Sequence, residues 1–256
     1  MPIIKTVDSL QVEVYPNRDE MGKAAAETAA AVLNAAISKK GEARVVFASA
    51  VSQSDFLRHL SEMPIDWTKV TAFHQDEWVG VAMDAEISFC RFMKHYLFDI
   101  VHPGTAHYID GMADKDAECE RYGKLLTEKP IDLFIVGIGE NGHIAFNEPH
   151  EADFNDPKVM KVITLDEQCR IQQKNDFKFA NIEDVPEYGI TVTIPVILSA
   201  EHVLVVVPTA RKAEAVAATL TGPISEQCPA SILRHKTGAI LYLDTDAASG
   251  TPTLQA

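Results

Sequence analysis

The chain has 256 residues, a formal net charge of −14 at pH 7 and 46% hydrophobic residues. This size suffices for a large core, and we expect one α/β domain over residues 1–256 because no Pro-, Gly- or Ser-rich linker interrupts the sequence. The acidic charge argues against nucleic acid and against an anionic membrane surface as partners.

Four cysteines without a C-x-x-C pair favour reduced thiols in a cytoplasmic protein. No signal peptide is evident, and no apolar run reaches the roughly 18 residues of a membrane-spanning helix.

The predicted elements alternate between strand and helix along the chain. Apolar patterns predict strands at residues 10–15, 45–47, 70–73, 132–136, 203–207 and 238–243. Helices are predicted at residues 18–40, 54–60, 88–97, 114–127 and 210–220. Gly41 stands where the first helix should end, and Ser52 and Ser54 are candidates for the N-cap of the second. This alternation predicts a doubly wound, mostly parallel, Rossmann-like sheet flanked by helices.

Candidate functional residues follow several of these strands. Residues 49–52, Asp76, residues 137–148 and residues 208–212 each come directly after or close behind a predicted strand. Because ligands of such folds sit beyond the carboxyl ends of the strands, we expect these segments to meet at one edge of the sheet.

The most informative segment is residues 137–149, which reads Gly-Ile-Gly-Glu-Asn-Gly-His-Ile-Ala-Phe-Asn-Glu-Pro. Its glycines permit a sharp turn and close approach of the backbone to a ligand. His143 and Glu148 are proton-transfer groups, and Asn141 lies beside them. A strand end, a glycine turn and these side chains together predict an active site.

The same glycines match the dinucleotide fingerprint G-x-G-x-x-G, which would predict nucleotide binding instead. That fingerprint requires a long helix after the third glycine, but Pro149 follows Gly142 by seven residues. The sequence also shows no acidic residue at the end of a second strand for the ribose contact. A purely structural turn would explain the glycines but not the clustered polar side chains.

The motif at residues 137–149 resembles the signature of the glucosamine-6-phosphate deaminase (isomerase) family. Residues 70–80, reading Val-Thr-Ala-Phe-His-Gln-Asp-Glu-Trp-Val-Gly, resemble the family's strand that ends in Asp-Glu-Tyr/Trp-Val-Gly. Further matches in family order are residues 116–122, residues 188–192 and Lys212-Ala213. The resemblance covers roughly residues 10–244 and implies a sugar-phosphate isomerase/deaminase that needs no cofactor or metal.

The resemblance also implies roles for four residues. Asp76 would be the base that moves a proton between C2 and C1, and His143 would open the sugar ring with Glu148 and Asn141 in support. Many family members have Asp where this chain has Asn141, which can hold His143 by hydrogen bonds but cannot transfer a proton. Glu77 is the alternative to Asp76 as the base, but in an extended backbone its side chain should point to the opposite side from that of Asp76.

For substrate binding, the resemblance implies contacts from Ser49, Ser52, Gly137, Ala145, Arg170 and Lys212. The two basic residues would hold the phosphate. The family's Thr-Gly-Gly-Ser/Thr-Pro loop reads Ser-Ala-Val-Ser-Gln at residues 49–53, so both hydroxyl positions remain while both glycines and the proline are gone. Without those glycines, backbone amides should wrap an anion less closely.

Other functions stay open at this point. The fold family includes 6-phosphogluconolactonases, which are hydrolases, and a non-catalytic sugar-phosphate sensor could carry a degenerate phosphate loop. A metal hydrolase could use His74, Asp76 and His143, although their spacing fits no common ligand motif. The expected partner is a small sugar phosphate. The sequence leaves open gluco or galacto configuration, homo-oligomerisation and allosteric activation.

Overall fold

A computed structural model describes residues 2–254, apart from the side chains at positions 168, 176 and 177. Eleven strands are present in this part of the chain. Their bounds are β1 Ile3–Val7, β2 Leu10–Tyr15, β3 Ala43–Phe47, β4 Val70–His74, β5 Asp76–Trp78, β6 Thr105–Ala106, β7 Leu133–Val136, β8 Met160–Thr164, β9 Tyr188–Val192, β10 His202–Val207 and β11 Ala239–Asp244.

Helices alternate with these strands. They are α1 Arg18–Lys40, α2 Ser54–Ser61, α3 Phe89–Met93, α4 Asp99–Val101, α5 Lys115–Thr127, α6 Glu167–Phe177, α7 Ile194–Ser199 and α8 Ala213–Thr221. The longest helix begins where the Asn17 side chain accepts from Glu20 N and ends at Gly41, whose φ is 82°. Gly41 therefore caps α1 as its sequence position predicts. None of the helices in residues 2–254 is long and apolar enough to cross a membrane.

The main sheet has eight strands in the order β1-β2-β11-β10-β7-β3-β4-β6. All neighbours are parallel except β1 and β2, which pair antiparallel. From β3 the chain proceeds through β4 to β6 at one edge, and from β7 it returns through β10 and β11 toward the other. The predicted doubly wound, mostly parallel sheet is confirmed, and its strand order reverses between β3 and β7, where such folds bind ligands.

Alternate residues of each strand feed two separate cores, as a sheet covered on both faces requires. Val45 and Phe47 of β3 pack in the cluster that contains the buried face of α1, including Leu33. Val46 of the same strand packs in the opposite cluster with Val216 of α8. The near-continuous apolar strands thus fix the two-sided arrangement.

A second sheet, which the sequence patterns did not predict, joins β5, β9 and β8 antiparallel. The patterns also missed β1 and β6. β1 is half exposed, and β5 and β6 have only three and two residues, so none gives a clear apolar period. The small sheet lies over the carboxyl edge of the main one, because Val192 N donates to Gln75 O just past β4.

Two helix starts differ from the prediction. Neither Ser52 nor Ser54 caps α2, which begins after a 3₁₀ turn at Val51–Gln53 without a side-chain cap hydrogen bond. The predicted helix at residues 210–220 likewise begins with a 3₁₀ turn, Ala210–Lys212, before α8. Each of these two 3₁₀ turns contains a residue, Ser52 or Lys212, that lines the pocket described below.

Candidate active site

A pocket lies at the switch point of the main sheet, beyond the carboxyl ends of four neighbouring strands. It is lined by the loops after β3, β4, β7 and β10, by α6 and by one residue of α3. The segments that the sequence placed after strands therefore do meet. The lining polar side chains are Ser49, Ser52, Gln75, Asp76, His143, Gln172, Gln173 and Lys212.

His143 and Glu148 form a pair in the loop after β7. His143 Nδ1 lies 3.0 Å from Glu148 Oε1, and the Glu148 side chain is fully buried behind the imidazole. This leaves Nε2 as the ring nitrogen available to a ligand. Burial alone would raise the pKa of Glu148, but the charge of His143 and the hydrogen bonds around the carboxylate lower it to about 2.

The glycine turn makes room for this imidazole. A Cβ atom at Gly139 would lie 2.2 Å from His143 Cε1, and Gly139 N donates to His143 O at 2.9 Å. Gly142 has a φ of +85°, which few other residues adopt. The glycines thus serve the close approach of a side chain, and residues 137–149 contain no helix. The helix that a dinucleotide fingerprint requires after Gly142 is missing, so the structure contradicts that alternative.

Asn141 holds the pair from the far side. Its Nδ2 donates to Glu148 Oε2 at 2.6 Å and to Asp166 Oδ2 at 3.0 Å, while its Oδ1 accepts from His143 N at 3.1 Å. Every hydrogen-bonding group of the amide is used, and the two acceptors of Nδ2 are both carboxylates. An amide is therefore the side chain that this position requires.

Asp76 faces the pocket from the first residue of β5. Only 4% of it is exposed, and burial together with the nearby Glu77 charge raises the pKa of its carboxyl well above the usual value. A carboxylate with a raised pKa is a stronger base than an ordinary aspartate. Gln75 Nε2 donates to Asp76 Oδ2 at 3.1 Å and opposes this rise.

Glu77 points away from Asp76, as an extended backbone predicts. Its carboxylate accepts from Ser88 Oγ at 2.8 Å and from Phe89 N and Cys90 N at 3.1 and 2.9 Å. Glu77 therefore binds the unpaired amides at the start of α3 and does not reach the pocket. Of the two neighbouring acids, only Asp76 lines it.

His74 is unsuited to the metal-hydrolase alternative. Its Nδ1 donates to Asp76 O at 2.9 Å and its Nε2 accepts from Ile109 N at 3.0 Å, so both nitrogens are occupied. Burial lowers the pKa of the imidazole to about 4, which keeps it neutral. Two clusters among the described residues have side chains close enough to hold a metal ion together. One consists of His74, Glu77 and Cys90, and the other of His143, Glu148 and Cys169. His74, Asp76 and His143 do not form such a cluster.

One end of the pocket lies beyond the carboxyl ends of β3 and β10. It is lined by Lys212, Ser49 and Ser52. Among the described residues that line the pocket, Lys212 is the only one with a cationic side chain, and it is 5% exposed. The Ser49 hydroxyl is buried without a hydrogen-bond partner in the described structure. The Lys212 turn is anchored by Asp244, both of whose carboxylate oxygens accept from Thr209 N at 3.0 Å. This end of the pocket suits an anion.

Arg170, which the resemblance predicts as a phosphate ligand, is not among the residues that line the pocket. It lies on α6 and its guanidinium donates to Ile182 O and Val185 O at 2.8 and 3.1 Å. The register of α6 instead turns Gln172 and Gln173 toward the pocket. Gly137 and Ala145 do line it as predicted, and Ala145 adopts a left-handed φ of 50°.

Four further polar residues lie around the site and were not predicted from the sequence. Gln75 stands inside a motif already singled out, so its position beside Asp76 was a usable signal. Gln172, Gln173 and Asp166 had none, because they belong to a later segment that only the fold brings close.

The fold and the pocket are those of an α/β protein whose site, at the switch point of its sheet, is lined by a buried carboxyl, an imidazole and a lysine. Residues 16–242 match the family model described as glucosamine-6-phosphate isomerases/6-phosphogluconolactonase, and the chain belongs to this family. A glucosamine-6-phosphate deaminase of Streptococcus suis is 36% identical over 79% of this chain and 85% of its own. One from Bacillus cereus is 40% identical over 72% of this chain and 69% of its own.

Solved structures agree with this assignment. A monomeric glucosamine-6-phosphate deaminase superposes with a TM-score of 0.86 and 30% identity, covering 93% of this chain and 99% of its own. The 6-phosphogluconolactonase of Thermotoga maritima has a TM-score of 0.74 at 20% identity, covering 94% and 100%. At that identity the likeness to the lactonase shows a shared fold alone.

Proposed function

We propose that the protein hydrolyses an aminohexose 6-phosphate to the ketose phosphate and ammonia. Glucosamine 6-phosphate is the main candidate substrate. The observation that carries this proposal is the joint presence in one pocket of buried Asp76, the His143–Glu148 pair and Lys212. The deaminases named among the relatives support the same reaction.

Each group has a distinct task in this proposal. His143, oriented by Glu148 and Asn141, exchanges a proton with the ring oxygen and O1 so that the sugar opens. Asp76 takes the proton from C2 and returns it to C1, so that the C1 aldehyde becomes an alcohol and the amine on C2 becomes an imine, whose hydrolysis gives the ketose. The amino group leaves as ammonia when water adds at C2. Lys212, with Ser49 and Ser52, binds the phosphate, and no step requires a metal or a nucleotide.

The test is an assay of ammonia and ketose phosphate with purified protein. We expect product from glucosamine 6-phosphate, retained in the presence of a chelator and absent with unphosphorylated glucosamine. Galactosamine 6-phosphate, assayed in parallel, decides the sugar configuration. Failure to release ammonia from either aminosugar phosphate, or hydrolysis of 6-phosphogluconolactone instead, would contradict the proposal. Ligand binding without turnover would favour a sensor.

A further inference from the structure

Gln75 is a buried amide held rigidly at the meeting point of the two sheets. The backbone N–H of Gln75 donates to the backbone oxygen of Phe47 at 3.0 Å, and its backbone oxygen accepts from Val192 N at 2.9 Å. The first contact ties it to the end of β3 and the second to β9 of the small sheet. Both sheets therefore hold the backbone of Gln75. Its side chain lines the pocket, and the residue is 6% exposed.

One end of this amide is occupied and the other is not. Nε2 donates to Asp76 Oδ2 at 3.1 Å, and because a carboxylate only accepts, this contact decides which way the amide faces. Oε1 is then directed away from Asp76 and is buried without a hydrogen-bond partner in the described structure. Leaving a buried polar group unpaired is unfavourable, so a carbonyl kept in this state beside a pocket is suited to a ligand donor.

We propose that Gln75 is a specificity-determining residue whose carbonyl oxygen accepts a hydrogen bond from the amino group on C2 of the substrate. This inference rests on the proposed function, in which Asp76 acts on the proton of that same carbon. Since the amide is bound to the Asp76 carboxylate, a donor that meets Oε1 lies beside the reacting C–H bond. An ammonium group offers only donors, so it matches an acceptor here without placing a lone pair against Asp76.

The proposal is tested by binding of two unreactive analogues, 2-amino-2-deoxyglucitol 6-phosphate and 2-deoxyglucitol 6-phosphate. They differ only by the amino group, and neither has a carbonyl to isomerise. Calorimetry on the wild-type protein should show tighter binding of the amino compound. In Gln75→Met, which keeps the length of the side chain but loses the acceptor, that preference should fall roughly 10- to 100-fold, as for a lost hydrogen bond to a charged group.

The matched control is Gln172→Met, the same substitution in the same pocket. Gln172 Oε1 already accepts from Glu140 N at 3.0 Å, so this variant should keep the preference even if overall affinity changes. If Gln75→Met does not fold, Gln75→Asn, which retracts the carbonyl by one methylene, replaces it. An unchanged preference in the Gln75 variant, or an equal loss of affinity for both analogues, would overturn the inference.

The two proposals fail separately. Ammonia release by the wild-type protein together with a preference insensitive to Gln75 would reject the inference and leave the reaction standing. A Gln75-dependent preference without any ammonia release would reject the reaction and leave the amino-group contact standing.

Discussion

Gly139 and His143 are in such close contact that the imidazole occupies the space a side chain at position 139 would need. A Cβ there would lie 2.2 to 2.4 Å from three atoms of the ring. Because Nδ1 of the imidazole is also 3.0 Å from Glu148 Oε1, displacing the ring would disturb that pair. The glycine therefore sets the position of the proton-transfer group.

Gly139→Ala should displace His143 and lower kcat on the order of 10²-fold, the usual effect of misplacing a catalytic group by about 1 Å. The measurement is steady-state turnover of glucosamine 6-phosphate. Gly123→Ala is the control, because a Cβ at that position in α5 would first meet Val159 at an ordinary 3.4 Å. Equal activity in both variants would show that the ring tolerates displacement.

Asp76→Asn should lower kcat by about 10²- to 10⁴-fold with little change in binding, because it removes the general base. It should also stabilise the fold. The folded pKa of Asp76 is raised by burial, so its ionisation costs stability as pH rises through that pKa, and the amide avoids this cost. Glu77→Gln should instead destabilise, because the Glu77 carboxyl, although burial raises its pKa too, accepts from Ser88 Oγ, Phe89 N and Cys90 N, and an amide has only one oxygen for these donors. Thermal unfolding against pH, with kcat, separates the two acids.

Glu148→Gln should remove an acid-sensitive part of the stability. The pKa of Glu148 is lowered from 4.5 to about 2, so its ionised form stabilises the fold above pH 4.5 and that contribution is lost as pH falls from 4.5 to about 2. The melting temperatures of wild type and variant should therefore converge across this range. Glu140→Gln, in the same loop but paired with Arg211, serves as control. A difference that persists at low pH would contradict the ion-pair role.

Asn141→Asp should not restore a family-like site. The new carboxylate would face Glu148 Oε2 and Asp166 Oδ2 at the 2.6 and 3.0 Å now spanned by the amide. We expect a loss of roughly 1–3 kcal/mol at neutral pH, which lessens as acid protonates the new group, because its folded pKa is raised. The additional change Asp166→Asn should recover part of the loss. Asn155→Asp, at an exposed position, is the control, and urea unfolding at two pH values is the measurement.

Lys212→Ala should raise KM roughly 10- to 150-fold while kcat falls less, because a charge-assisted phosphate contact is worth about 1.5–3 kcal/mol and lies away from C1 and C2. Arg211→Ala, which removes a neighbouring half-exposed charge, should leave KM near the wild-type value.

Arg170→Ala should lower the melting temperature without a comparable rise in KM, because Arg170 binds the carbonyls of Ile182 and Val185. Similar KM effects from Arg170 and Lys212 would reverse this assignment.

Local sequence patterns suffice to predict the parallel sheet, the loop after β7 and the convergence of Asp76, His143 and Lys212 on one edge. These follow from local information, because apolar periodicity marks buried strands and the carboxyl ends of parallel strands share an edge. The opposite directions of Asp76 and Glu77 also followed from the two-residue period of an extended backbone.

Contacts between side chains far apart in the chain could not be predicted from local patterns. The register of α6 against the pocket turned Gln172 and Gln173 inward and Arg170 toward the carbonyls of Ile182 and Val185, and no local pattern specifies that choice. Asp166 meets Asn141, and Oε1 of Gln75 stays unpaired, for the same reason. Hydrogen bonding depends on tenths of an ångström between segments far apart in the chain, and only the packing of whole elements sets such distances.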